Sequence, residues 1–109
     1  MELGKLAEKL GLDVEDIIEL FELYMETTAS DLAELKGAIQ GKDSQLAHAK
    51  AHSIKGASGN LGLDEMYNLA KEIDDRARGN SLDGLEKMIQ ALEEKYNSLV
   101  KEFEKSDQH

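Results

Sequence analysis

From Val14 to Ile39 the residues Val14, Ile17, Ile18, Phe21, Met25, Thr28, Leu32, Leu35 and Ile39 follow one another at steps of mostly three and four. That spacing gathers side chains on one side of a helix that turns about 100° per residue. Every other segment long enough to judge repeats the pattern and none alternates as a strand would, so the chain is read as all-α. A short amphipathic helix over about residues 2–11 carries Leu3, Leu6, Ala7 and Leu10 and stops at Gly11, and Asp13 stands as N-cap to the long run. The long run ends near Gly41. Asp43 or Ser44 caps the next helix, which ends around Gly62, a C′ glycine expected in the left-handed region. Asp64 opens a helix with Met66, Leu69, Ile73 and Ala77 inside and Gly79 as its stop. Asn80 or Ser81 is expected to cap the last helix, whose inner positions are Leu82, Leu85, Ile89, Leu92, Tyr96, Leu99 and Phe103.

Short connections between long amphipathic helices make neighbours antiparallel. The expected architecture is therefore an antiparallel up-down four-helix bundle over about residues 13–105, with the short N-terminal helix across or beside it and a frayed polar tail at 106–109. The helices are punctuated too often for one extended coiled coil. A chain of 109 residues without proline, cysteine or tryptophan suits one domain, taken as 1–109. With 13 basic and 23 acidic side chains the formal charge is −10, which disfavours nucleic-acid backbones and anionic membranes as partners. Without cysteine there is no disulfide framework, thiolate nucleophile or Cys-based zinc site. No stretch has the apolar length of a membrane span and the N-terminus lacks a secretory pattern, so a cytoplasmic protein is expected.

One segment works against its own helix. Ala51-His52-Ser53-Ile54-Lys55-Gly56-Ala57-Ser58-Gly59-Asn60-Leu61-Gly62 places two glycines inside a helical run, each costing up to about 1 kcal/mol relative to alanine. On a helical wheel centred on Ile54, the residues Ala47, Ala51, Ala57 and Leu61 all fall within about 60° and form the core stripe. His52 falls about 160° away, flanked by Gly56 and Gly59 at about 40° and 20° from it. Lys55, three residues on, is its surface neighbour. A neutral imidazole is a nucleophile near physiological pH, and phosphorylation at a ring nitrogen makes a labile P–N bond. Missing side chains at Gly56 and Gly59 would let another protein's active site close over the ring, while Lys55 offsets phosphoryl charge.

The motif His52-Ser53-Ile54-Lys55-Gly56-Ala57-Ser58, followed by Asn60-Leu61-Gly62, resembles the signature of the histidine-containing phosphotransfer (HPt) family. The similarity in helix pattern extends from about Asp13 to Phe103. Members are helical bundles whose surface histidine takes a phosphoryl group from the aspartate of a receiver domain and hands it to another in a multistep phosphorelay. The resemblance implies that His52 is the phosphoacceptor, Lys55 the supporting cation, Gly56 the residue that opens space beside the ring, and Ser58 a small position on the same helix. It implies response-regulator receiver domains and a hybrid histidine kinase as partners, with Mg²⁺ held by the receiver and no metal or cofactor bound by this chain. The implied activity is that of a phosphoryl carrier, not of an independent enzyme, since there is no glycine-rich nucleotide loop and too little chain to hold a kinase domain. A monomer is expected.

The same residues admit other readings. His48 and His52 stand at i, i+4 and could chelate a divalent ion, but no Glu follows His48 and two ligands do not complete a site. His48 is placed instead at the border of a docking surface with Ala49, Ser53 and Gly59. The two glycines could mark a close helix crossing, yet they fall on the polar side of the wheel. Glu15-Asp16, Asp74-Asp75 and Glu93-Glu94 are taken as solvated helix faces. The alternative function is a non-transferring adaptor or inhibitor that binds a receiver or a kinase, a role that would need neither His52 nor Lys55.

Overall fold

The computed structural model describes residues 3–107, and within them the chain forms five helices and no strand. They are α1 (Leu3–Leu10), α2 (Val14–Gln40), α3 (Ser44–Asn60), α4 (Asp64–Arg78) and α5 (Leu85–Asp107). With 27 residues, α2 spans about 40 Å at 1.5 Å per residue and sets the 43 Å long axis of the molecule. It packs against α1, α3 and α5, while α4 packs against α3 and α5.

The helix ends follow the local chemistry of the chain. Asp43 accepts a hydrogen bond from the Leu46 amide at 3.1 Å and so caps α3, whereas Asp13 occupies the N-cap of α2 without a side-chain bond. Gly62 has φ of +69°, with its amide on the Gly59 carbonyl and the Leu63 amide on that of Ser58. These two hydrogen bonds satisfy orphan carbonyls at the end of α3 and require the left-handed conformation that glycine adopts without strain. At the ends of α2 and α4 the left-handed residue is not the glycine but the one after it, Lys42 and Asn80.

Two boundaries differ from expectation at α5. Neither Asn80 nor Ser81 caps it: Asn80 ends the α4 turn at φ +62°, Gly84 takes φ +78°, and helix begins only at Leu85. Leu82 still packs against the core, from the connection and not from a helix. At the other end α5 continues through Asp107, into the segment expected to fray, and residues 108 and 109 of that segment lie outside the described residues.

The core is the predicted stripe with small changes. Ile17, Phe21, Leu35, Ile54, Met66, Ile73, Leu85 and Leu92 are completely buried, each such side chain contributing about 1.5–3 kcal/mol of apolar transfer. The Phe21 ring stacks on Phe103 with centroids 5.4 Å apart, tying the start of α2 to the end of α5. Val14, expected inside, is 43% exposed because α2 begins there, beyond its packed length. Leu69 is half-buried, and its neighbour Ala70 takes the innermost place on α4.

Candidate functional site

α3 lies between α2 and α4, held by Ala47, Ala51 and Ile54, all fully buried. Its opposite side carries His52, whose side chain is 62% exposed. The ring does not stand in open solvent alone. Its Nδ1 lies 3.4 Å from Oδ2 of Asp74, a residue of α4 with no exposed side-chain surface. The same oxygen accepts hydrogen bonds from Lys55 Nζ at 3.1 Å and from Arg78 Nη2 at 3.3 Å. The other oxygen, Oδ1, is hydrogen-bonded to Nδ1 of His48, and the two imidazole centroids are 5.8 Å apart. One buried carboxylate thus gathers two histidines, a lysine and an arginine.

Burial by itself would raise the pKa of Asp74. The hydrogen bonds from Lys55, His48 and His52, aided by the charge of His48, outweigh it and hold the carboxyl below the ordinary aspartate value. An ionised carboxylate only accepts hydrogen bonds. A neutral ring that hydrogen-bonds this carboxylate carries its proton on the bonded nitrogen, which for His52 is Nδ1, and its Nε2 lone pair is then unshared. Lys55, only 18% exposed, is already engaged with Asp74 and is not a free cation at the surface.

The Asp74-Asp75 pair corrects an expectation. Asp75 behaves as a solvated-face residue and pairs with Lys71 at 3.0 Å, but Asp74 is buried at the centre of the site. The sequence did hold a signal. Asp74 is four residues after Ala70 and three before Ala77, both buried, so it lies on the inner stripe of α4. Arg78, at i+4 from Asp74, is the second site residue not singled out beforehand.

The remaining residues distribute around α3. A Cβ added at Gly56 would meet nothing within 4 Å, so the space outside this glycine is open. Gly59 differs: a Cβ there would stand 3.2 Å from Cδ2 of Tyr67, so α4 crosses closely at this point and the polar-side placement missed it. The wheel was centred on one stripe, whereas α3 is clasped by α2 and α4 at once, and Tyr67 reaches Gly59 from outside that stripe. Ala49 is exposed. Ser53 turns the other way from His52, its hydroxyl donating to Asp31 of α2 at 2.7 Å. Ser58 is fully buried and hydrogen-bonded to the Tyr24 hydroxyl at 2.8 Å. Between α2 and α3 a shallow groove is lined by Leu20, Leu23, Thr27, Ala57, Asn60 and Leu61, with Leu23 61% exposed. Its α3 wall begins at the residue after Gly56.

Among the described residues no group of three or more His, Cys, Asp or Glu side chains could hold a metal ion. The pairing of His48 and His52 is through Asp74. No helix among them is long and apolar enough to cross a membrane.

The family model for the Hpt domain matches residues 19–102. Among solved structures, the crystal structure of histidine-containing phosphotransfer protein B (HptB) from Pseudomonas aeruginosa PAO1 matches with a TM-score of 0.85 and 25% sequence identity, covering 97% of this chain and 90% of that one. No curated protein sequence matches.

Proposed function

Since the chain belongs to the Hpt domain family, we propose that it carries phosphoryl groups in a multistep two-component phosphorelay, with His52 as the group that is loaded and unloaded. The observation that carries this reading is the exposed His52 ring with its Nδ1 on Asp74 and no side chain at Gly56 to block its approach. The Nε2 lone pair attacks the phosphorus of a receiver's aspartyl phosphate as the bond from phosphorus to the aspartyl oxygen breaks. The receiver carboxylate leaves, and the Nδ1 proton stays on a ring that is now cationic. The reverse step loads the next receiver. Lys55, 3.1 Å from Asp74, would turn part of its charge to the phosphoryl oxygens, and such transfer is mostly positioning and charge stabilisation.

The chain is a carrier and not an independent enzyme, and a hybrid histidine kinase supplies the first phosphoryl group of the relay. Mg²⁺ belongs to the receiver's acidic pocket, and this chain brings no cofactor of its own. The scaffold is read as an antiparallel up-down bundle of α2 to α5 in a single domain. Contacts such as Tyr24 to Ser58 and Asp31 to Ser53 between α2 and α3, and Phe21 to Phe103 between α2 and α5, support that order. The docking face includes His48, Ala49 and Gly56 and extends into the apolar groove at Leu20 and Leu23, while Ser53 and Gly59 serve the packing of α3. The carrier works as a cytoplasmic monomer.

Incubation with a phosphorylated receiver domain tests the reading. The native chain is expected to acquire an acid-labile, base-stable label that His52→Gln lacks. Binding without label across a panel of receivers would instead favour a non-transferring adaptor.

A further inference from the structure

We propose that His48 is a second phosphorylation site, whose Nε2 accepts a phosphoryl group from small activated donors of the phosphoramidate and acyl phosphate class. The site goes beyond the assignment of His52 and stands or falls apart from it. Asp74 is shared unequally between the two rings. Its Oδ2 is divided among Lys55 at 3.1 Å, Arg78 at 3.3 Å and His52 at 3.4 Å. Its Oδ1 accepts, among the described residues, from His48 alone. His48 therefore has the closer hold on the carboxylate. When neutral, a ring so bonded keeps its proton on Nδ1, and no hydrogen bond among the described residues engages its Nε2. The His48 side chain is 38% exposed, whereas that of Asp74 has no exposed surface. One edge of the ring thus rests on a buried charge and the opposite edge meets water.

The approach to that edge selects the donor. One turn after His52 stands Gly56, where an added Cβ would meet nothing within 4 Å. One turn after His48 stands His52 itself, with the ring centroids 5.8 Å apart. A receiver brings its phosphate inside a protein-walled pocket, which has room over His52 and is obstructed by that ring over His48. A small donor needs only the exposed edge. With phosphoramidate protonated on its nitrogen, the Nε2 lone pair attacks phosphorus as the bond from phosphorus to that nitrogen breaks. Ammonia leaves, Nδ1 keeps its hydrogen, and the ring becomes cationic. A hydrogen bond from a cationic donor to a carboxylate is stronger than one from a neutral donor, so Asp74 favours the loaded ring.

His52→Gln combined with His109→Gln leaves His48 as the sole imidazole of the chain. Treated with phosphoramidate, this double variant is expected to take up one phosphoryl group, mapped to His48 by mass spectrometry and to Nε2 by coupling of phosphorus to the ring protons. Uptake should run at least tenfold faster than on N-acetylhistidine in the same solution, and urea that unfolds the chain should remove the excess. A folded variant that labels no faster than N-acetylhistidine, or labels on Nδ1, would overturn the proposal. The native chain provides the same test without substitution: His48 should be labelled beside His52, and its absence from the labelled sites would equally overturn the proposal. A phosphorylated receiver should leave the double variant unlabelled, and transfer from it would overturn the restriction to small donors. Failure of His52 to label in His48→Gln would instead overturn the phosphoacceptor assignment and leave the second site standing.

Discussion

α3 is bracketed by two buried aspartates, one on each side, and they are put to different uses. On the α2 side Asp31 accepts from the Ser53 hydroxyl at 2.7 Å and stands 3.9 Å from Lys50. Lys50 also pairs with Glu34 at 2.7 Å, and that hydrogen bond raises its pKa. Together with the Tyr24 to Ser58 bond, this seam joins neighbours whose polar groups are satisfied locally. On the α4 side Asp74 is bonded to His48, His52, Lys55 and Arg78, and His52 is exposed. One aspartate ties a helix down, and the other holds the groups that helix presents. Burial does not tell the two carboxylates apart; the exposure and chemistry of their partners do.

The comparison predicts its largest effect at Asp74. Asp74→Asn preserves shape but removes the charge and turns an amide donor toward cationic donors, which should cost about 1–3 kcal/mol at neutral pH, as expected for a buried charged hydrogen-bonding group. Its partners can regain water, which keeps the cost below that of a fully enclosed pair. Asp31→Asn should cost less, within about 1 kcal/mol, since Ser53 can still donate to the amide oxygen. The difference carries a pH signature. The native Asp74 carboxyl ionises below the ordinary aspartate value, so near pH 4 the unfolded chain binds more protons there than the native state. The contribution of Asp74 is therefore full above about pH 4 and is lost as pH falls through the lower native value. Denaturant melts at pH 7 and pH 3 should show the gap between native chain and Asp74→Asn closing at the lower pH; an undiminished gap would mean that the charge is not what Asp74 contributes.

The second prediction separates the seams by function. Tyr24 and Ser58 are both buried and share a hydrogen bond of 2.8 Å. Tyr24→Phe leaves Ser58 to bond back to its own helix, so the expected cost is about 1–2 kcal/mol in denaturant melts. Phosphoryl acceptance from phosphoramidate should stay within twofold of the native rate. A stability loss with a parallel loss of acceptance would mean that the α2 seam also positions His52.

The α2 seam and the α4 seam were not equally legible from the sequence. Helices, core stripe and the exposed His52 follow from periodicity, because each depends on where a residue falls around one helix. The glycine at 62 could be assigned its left-handed turn for the same reason. Asp74 could not be assigned its task in that way, although its place on the inner stripe was visible, because a buried carboxylate becomes intelligible only when the donors opposite it are known. Those donors lie 19 to 26 residues away, on another helix. The start of α5 was misplaced for a different reason: Asn80 and Ser81 are both good caps, and nothing local reveals that Gly84 breaks the path before Leu85.

The smallest effect expected is also a comparison, between the two glycines of α3. At Gly56 an added methyl meets nothing within 4 Å, so Gly56→Ala should raise stability by up to about 1 kcal/mol through helix propensity and a less flexible unfolded chain. At Gly59 the methyl would sit 3.2 Å from the Tyr67 ring. The half-buried ring must give by a few tenths of an ångström, and that strain offsets the same propensity gain, leaving Gly59→Ala neutral or destabilised by up to about 1 kcal/mol. Transfer should move the opposite way to stability at Gly56, where the methyl enters the space a receiver's active site would occupy beside His52. Thermal melts paired with receiver-dependent labelling check both. If Gly56→Ala is more stable and still labels at the native rate, the open space there serves no approach to the ring, and Gly56 belongs with Gly59 among residues of the scaffold.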